Sequence, residues 1–153
     1  MTELAIPPVA DDSAEPTPGQ RWEGKVLAGS YRIERLLGKG GMGAVFHATH
    51  LRTQRPVAIK VLLGGLQTHR EQRLRFQREA AALCALSHPH IVQILDLGTD
   101  TDGAPFVVME LLNGEDLAQR LQRQPQQPLA VVLRWTQQIA SALALAHARG
   151  IVH

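Results

Sequence analysis

The sequence is poor in cysteine, in aromatic residues and in net charge, and each shortage excludes something. Cys84 is the only cysteine among 153 residues. One thiol cannot close an internal disulfide, and a reducing compartment is the simplest setting. Its expected place is a small, buried apolar position in a helix. Aromatic residues are 4% of the chain, which leaves no platform for stacking nucleic-acid bases. The net charge is only +2 and the arginines form no long run, so no nucleic-acid partner is expected. No stretch reads as long and apolar enough to span a membrane. The nearest, Ile139 to Ala148, is short and interrupted by Ser141 and His147. Met1 to Val9 carry an acid and two prolines where a signal peptide needs a basic start and an apolar run. The expectation is a soluble, cytoplasmic polypeptide with no membrane segment of its own. An anchor elsewhere in a longer parent stays open.

What is present suits a folded domain. Hydrophobic residues are 44% and charged residues 20%, ordinary values for a globular protein with a core. Residues 1–21 are rich in Pro, Asp, Glu, Ser and Thr without apolar periodicity, and read as a disordered tail. Residues 22–112 then read as an α+β lobe. Tyr31, Ile33 and Leu36-Leu37 suggest a first strand, Ala44 to Thr49 a second, and Val57 to Leu63 a third, the last dense in β-branched residues. Together they form an antiparallel meander. Thr68 and Glu71 fit a capping box that opens a helix running to about Leu86. Ile91 to Leu97 and Phe106 to Leu111 read as two more strands, joined by a turn at Asp100 to Gly103. The lobe thus has five strands and one helix. Asn113-Gly114 links it to residues 113–153. There Glu115 to Gln124 reads as a short amphipathic helix and Leu129 to Arg149 as a long one. The long helix carries an apolar stripe of Val132, Trp135, Ile139, Ala142, Leu143 and Ala146, and Gly150 is placed to end it.

Two segments carry chemistry. Gly38-Lys39-Gly40-Gly41-Met42-Gly43-Ala44-Val45 fits G-x-G-x-x-G-x-V, and Val57-Ala58-Ile59-Lys60 fits V-A-I-K on the next strand. Glycines without Cβ atoms let the backbone approach phosphates closely. A lysine on the adjoining strand can reach the same phosphates as a point charge. The glycine pattern alone is a weak signal, since unrelated phosphate loops share it and a ligand-free hairpin turn also satisfies it. A strand follows it, not a helix, which argues against a dinucleotide fold. Lys60 strengthens the phosphate reading. On a helical wheel Glu79 falls inside the arc of Phe76, Ala80, Leu83 and Leu86, whereas Arg75 and Arg78 lie off it. A carboxylate on a buried face is costly unless paired. Lys60 from the strand beneath is a suitable partner, and the alternative is that Glu79 sits at the margin and reaches water. The pairs His47 and His50, and His88 and His90, lack the neighbours of a metal site, so no protein-bound metal is assigned.

From Tyr31 to His153 the chain resembles bacterial protein kinases of the eukaryotic-like serine/threonine type. The resemblance rests on Gly40-Gly41-Met42-Gly43, Phe76-Gln77-Arg78-Glu79, His88-Pro89-His90-Ile91-Val92, Val107 to Leu112, and His147 to His153. The last of these resembles the approach to the H-R-D loop. The resemblance implies a kinase-like N-lobe, a hinge and the first two helices of a C-lobe truncated at His153. It implies that ATP is bound by the loop Gly38 to Gly43, with Leu37, Val45 and Ala58 around the adenine and Met109 as gatekeeper. The backbones of Glu110 and Leu112 would face the adenine edge and Asp116 the ribose hydroxyls. Lys60 and Glu79 would be the catalytic pair. Leu83, Ile94 and His153 would join an apolar spine. Mg²⁺ and a protein substrate belong to the complete kinase, whose metal ligands follow His153. The parent is thus expected to be a serine/threonine kinase, with residues 1–153 alone inactive. The alternative is a non-catalytic module that binds nucleotide or protein.

Overall fold

A computed structural model describes residues 22–40, 43–62 and 86–152, together with Leu74, Phe76, Arg78, Ala81 and Cys84. Six antiparallel strands form one sheet: β1 (Val26–Leu27), β2 (Tyr31–Gly40), β3 (Gly43–His50), β4 (Pro56–Val61), β5 (Ile94–Thr99) and β6 (Pro105–Glu110). Their order is β1-β2-β3-β4-β6-β5. Five strands were expected, and the addition is β1. Two residues carry no readable alternation, and β1 exists because Val26 and Leu27 pair with Arg32 and Tyr31 along the β2 edge. The strand expected from Ile91 begins at Ile94, where pairing with Met109 starts. Before it, the Ile91 N–H donates to the His88 carbonyl and closes a turn.

The sheet curls until its two ends meet. The Tyr31 hydroxyl on β2 donates to Asp96 on β5 at 2.7 Å, and its ring stands edge-on to Phe106 with centroids 6.2 Å apart. Strand alternation then sorts the two faces. Ile33, Phe46, Ala48, Val57, Ile59, Val61, Phe106 and Val108 fill one side, with Trp22 and Leu27 packed among them. Phe46, Ile33, Ile59 and Val61 are wholly buried. Each such side chain contributes about 1.5–3 kcal/mol by leaving water. On the other side Leu62, Phe76 and Val107 pack together, with Ile94 and Met109 against them. Leu74, Phe76, Arg78, Ala81 and Cys84 are helical, so a helix lies on this second face. The capping residues Thr68 and Glu71 lie outside the described residues. Cys84 is exposed, not buried as expected. Phe76 holds the helix to the sheet, and Cys84 is off that contact.

The remaining helices are Leu117–Arg123 and Leu129–Ala148. Asp116 caps the first: its carboxylate accepts the Gln119 N–H at 2.7 Å, and the Gln119 side chain accepts the Asp116 N–H at 3.1 Å. The second ends as expected, with Gly150 at φ 73° just beyond it. Only Ala146 of this long helix is buried. It has 20 residues, and a mean hydropathy of 1.3 over an 18-residue stretch makes it long and apolar enough to cross a membrane by length and composition. This corrects the expectation that no stretch qualifies, because Leu129 to Leu133 extend the apolar run that begins at Ile139. Arg134, Gln137 and Gln138 interrupt that composition, and a guanidinium inside a bilayer is expensive.

Candidate functional site

The second face of the sheet brings the sequence-predicted residues together. In register, Val45 on β3 lies opposite Lys60 on β4, which lies opposite Val107 on β6. The next row on the same face is His47, Ala58 and Met109. Directly opposed residues in a sheet share a face, and alternate rows return to it. Val45, Ala58, Lys60 and Met109 therefore form one contiguous surface. The Lys60 ammonium stands 5.9 Å from the centre of the Phe76 ring, within range of a cation–π contact. That contact ties the lysine to the helix on this face. Glu79 itself lies outside the described residues.

The glycine hairpin borders this surface. Gly38 pairs with Val45, Lys39 with Ala44 and Gly40 with Gly43. The three described glycines do different work. A Cβ on Gly43 would lie 2.1 Å from the Val61 carbonyl oxygen, so β4 itself demands glycine there. A Cβ on Gly38 or Gly40 would meet nothing within 4 Å. The fold does not need glycine at those two positions, and the space above them is open to a ligand that does. Gly41 and Met42, at the tip, lie outside the described residues. Leu37 falls between Leu36, paired with Phe46, and Gly38, paired with Val45. This bulge turns Leu37 away from the core: Leu36 packs inward and Leu37 is 42% exposed.

Past β6 the chain leaves the sheet. The Glu110 N–H donates to the Gln93 carbonyl at 3.0 Å, and the Glu110 carboxylate accepts the Gln93 N–H at 2.8 Å. Of the Glu110 backbone, only the carbonyl remains for a ligand. Leu112 is 64% exposed. Glu115 is forked by Arg120 and Arg123. The two guanidiniums hold its carboxyl below the usual carboxylate range, Arg123 first. Asp116 is exposed and serves as the helix cap described above, a role that D-x-x-Q spacing announces. His90, Asp116, Leu117, Arg120, Trp135 and Ile139 border a cleft of about 540 Å³ between the loop before β5 and the two helices. Sequence reasoning weighed His47 only as a metal ligand. Its position beside Ala58 on the second face of the sheet needed the register.

Comparison with known proteins accords with this geometry. The protein kinase domain family matches residues 31–153. The chain is 43% identical over 130 residues to the serine/threonine-protein kinase pkn3 of Myxococcus xanthus, covering 85% of this chain and 24% of that protein. It is 40% identical over 134 residues to PknA of Mycobacterium tuberculosis, covering 85% and 31% respectively. The crystal structure of the M. tuberculosis PknI kinase domain superposes with a TM-score of 0.72 at 35% identity, covering 86% of this chain and 52% of that one. The chain thus spans under a third of the length of these two kinases and about half of the solved kinase domain. The six-stranded curled sheet, the lysine row on its helix-bearing face and a match running from the first residue of β2 to His153 agree: the chain belongs to the protein kinase domain family.

Proposed function

We propose that this chain is the nucleotide-binding half of an ATP-dependent serine/threonine protein kinase whose complete form transfers the γ-phosphoryl group to a protein hydroxyl. The observation that carries this reading is the surface built by Val45, Ala58, Lys60 and Met109, bordered by Gly38 and Gly40 with open space above them. Val45 and Ala58 supply a flat apolar wall for an adenine ring, with Leu37 at its rim. The Glu110 carbonyl and the Leu112 N–H can pair with the adenine edge. Asp116 is within the same stretch and suits ribose hydroxyls, although its carboxylate already caps a helix. Bare backbone at Gly38 and Gly40, flanking Lys39, can approach phosphate oxygens closely. The Lys60 ammonium neutralises charge on the α- and β-phosphates. In the complete kinase Mg²⁺ neutralises charge on the phosphates, and its protein ligands belong to residues that follow His153. Glu79 is assigned to orient Lys60. Such a kinase works in the ATP-rich cytoplasm, and the reading keeps this chain there.

Phosphoryl transfer depends on positioning and charge stabilisation. With only the nucleotide half, the chain is expected to bind ATP weakly and to transfer nothing. Titration calorimetry of ATP into the 153-residue chain and into Lys60→Ala tests this. Weak binding that drops further in the variant supports the assignment, and equal binding by both refutes it.

A further inference from the structure

The family match begins at residue 31, yet the chain is built into the fold from Trp22 onward. Trp22 is 9% exposed, and its ring lies 6.2 Å from that of Phe46 in the core. The Gly24 N–H donates to the Ile33 carbonyl and the Ile33 N–H to the Lys25 carbonyl, both at 2.9 Å. These bonds fasten residues 22–27 along β2, at one end of the strand order. Lys25 then reaches the other end. Its ammonium lies 2.7 Å from Asp100 and 2.9 Å from Asp102, in the turn that joins β5 to β6. It also sits 4.6 Å from the centre of the Trp22 ring.

The two carboxylates are unequal. The Asp102 side chain is 70% exposed, so its pair is screened and weak. The Asp100 side chain is 1% exposed. Burial pushes its carboxyl up, but the Lys25 ammonium and the Thr101 N–H together hold it below the ordinary range. A buried carboxylate stripped of its cation strongly disfavours the structure that buries it. Asp100 is also built into the turn: its N–H donates to the Ala104 carbonyl, and its own carbonyl accepts the Gly103 N–H, both at 2.8 Å. The hairpin beyond supplies Val107, Met109 and Ile94 to the helix-bearing face of the sheet.

We propose that Trp22–Ser30 is a strap whose Lys25 latches the two ends of the curled sheet together, so that the Lys25–Asp100 pair holds the β5–β6 hairpin in place. The latch is independent of the kinase reading, because it needs only the strap, Asp100 and the hairpin. Opening the latch would loosen the strands that carry Val107 and Met109.

Hydrogen exchange read by mass spectrometry on the 153-residue chain tests this. Lys25→Met should speed exchange about tenfold at residues 99–105 and also raise it through 94–98 and 106–110. Adding Asp100→Asn to Lys25→Met should restore most of the protection, since no buried charge then lacks a partner. Arg123→Met, which breaks only the exposed fork at Glu115, should leave residues 94–110 unchanged. Faster exchange confined to 22–30, or unchanged exchange everywhere, overturns the proposal. If Lys25→Met does not fold while Lys25→Met/Asp100→Asn does, the unpaired buried carboxylate is what prevents folding and the latch stands; failure of both variants to fold overturns it.

Discussion

The sheet and the long helix are both rich in apolar residues, and they end in opposite states. Phe46, Ile33, Ile59 and Val61 are wholly buried. On the helix, Val132, Leu133, Ile139 and Leu143 remain 41%, 54%, 53% and 37% exposed. Composition does not separate them. The sheet closes on itself, so each inward side chain finds another opposite. The helix has one amphipathic face, and of its residues only Ala146 is buried among the described residues. Apolar residues stabilise only where something packs on them, and the difference gives each region a different expected response to mutation.

The largest effect is expected in the sheet. Phe46→Ala should cost about 3–5 kcal/mol in urea unfolding, the range for emptying a buried aromatic site. A loss below about 1 kcal/mol would mean that the sheet is no better packed than the helix. Next come the glycines. Gly43→Val drives a side chain into the Val61 carbonyl and should cost about 2–3 kcal/mol. Gly38→Val meets open space and should change stability by less than about 1 kcal/mol while abolishing ATP binding in calorimetry. If both variants lose stability equally, Gly38 is structural and the phosphate reading loses its main support.

A third effect probes the closure of the sheet. Burial and the neighbouring Asp96 push the Tyr31 hydroxyl from 10.0 up to about 12. A raised folded value favours the protonated form, so its contribution is fully present below pH ~10 and is lost as pH climbs towards ~12. Unfolding followed over that window should show a decline on the order of 2 kcal/mol that Tyr31→Phe lacks. Identical pH profiles would place the closure elsewhere. The smallest effect belongs to the helix. Ile139→Gln should move stability by less than about 0.5 kcal/mol and should reduce self-association in sedimentation, because it breaks an exposed apolar stripe. A cost of several kcal/mol would mean that this face is covered after all.

Sequence patterns reached far for this chain, and unevenly. The spacing of Gly38 to Val45 and of Val57 to Lys60 picked out residues that meet on one face of the sheet, because the glycine hairpin and the following strand are local in sequence. Alternation along β4 already separates Val57, Ile59 and Val61 from Ala58 and Lys60. The cap at Gly150 was equally legible, since a helix end needs a residue that tolerates positive φ. The exposure of Cys84 was not, because helical periodicity gives a stripe but not its width.

What the sequence determined by itself was therefore the five longer strands, the loop and the lysine, each fixed by periods and spacings within a few residues. Tertiary structure decided the rest. Register across β3, β4 and β6 set Val45, Lys60 and Val107 in one row, and pairing partners 47 residues apart leave no trace in local pattern. Curling made β1, joined Tyr31 to Asp96 and carried Lys25 to a buried Asp100 that lies 75 residues away. A two-residue strand and an ion pair between distant segments have no periodicity to read. They form only once the closing sheet holds their ends together, with its buried face outweighing the cost of ordering the chain between them.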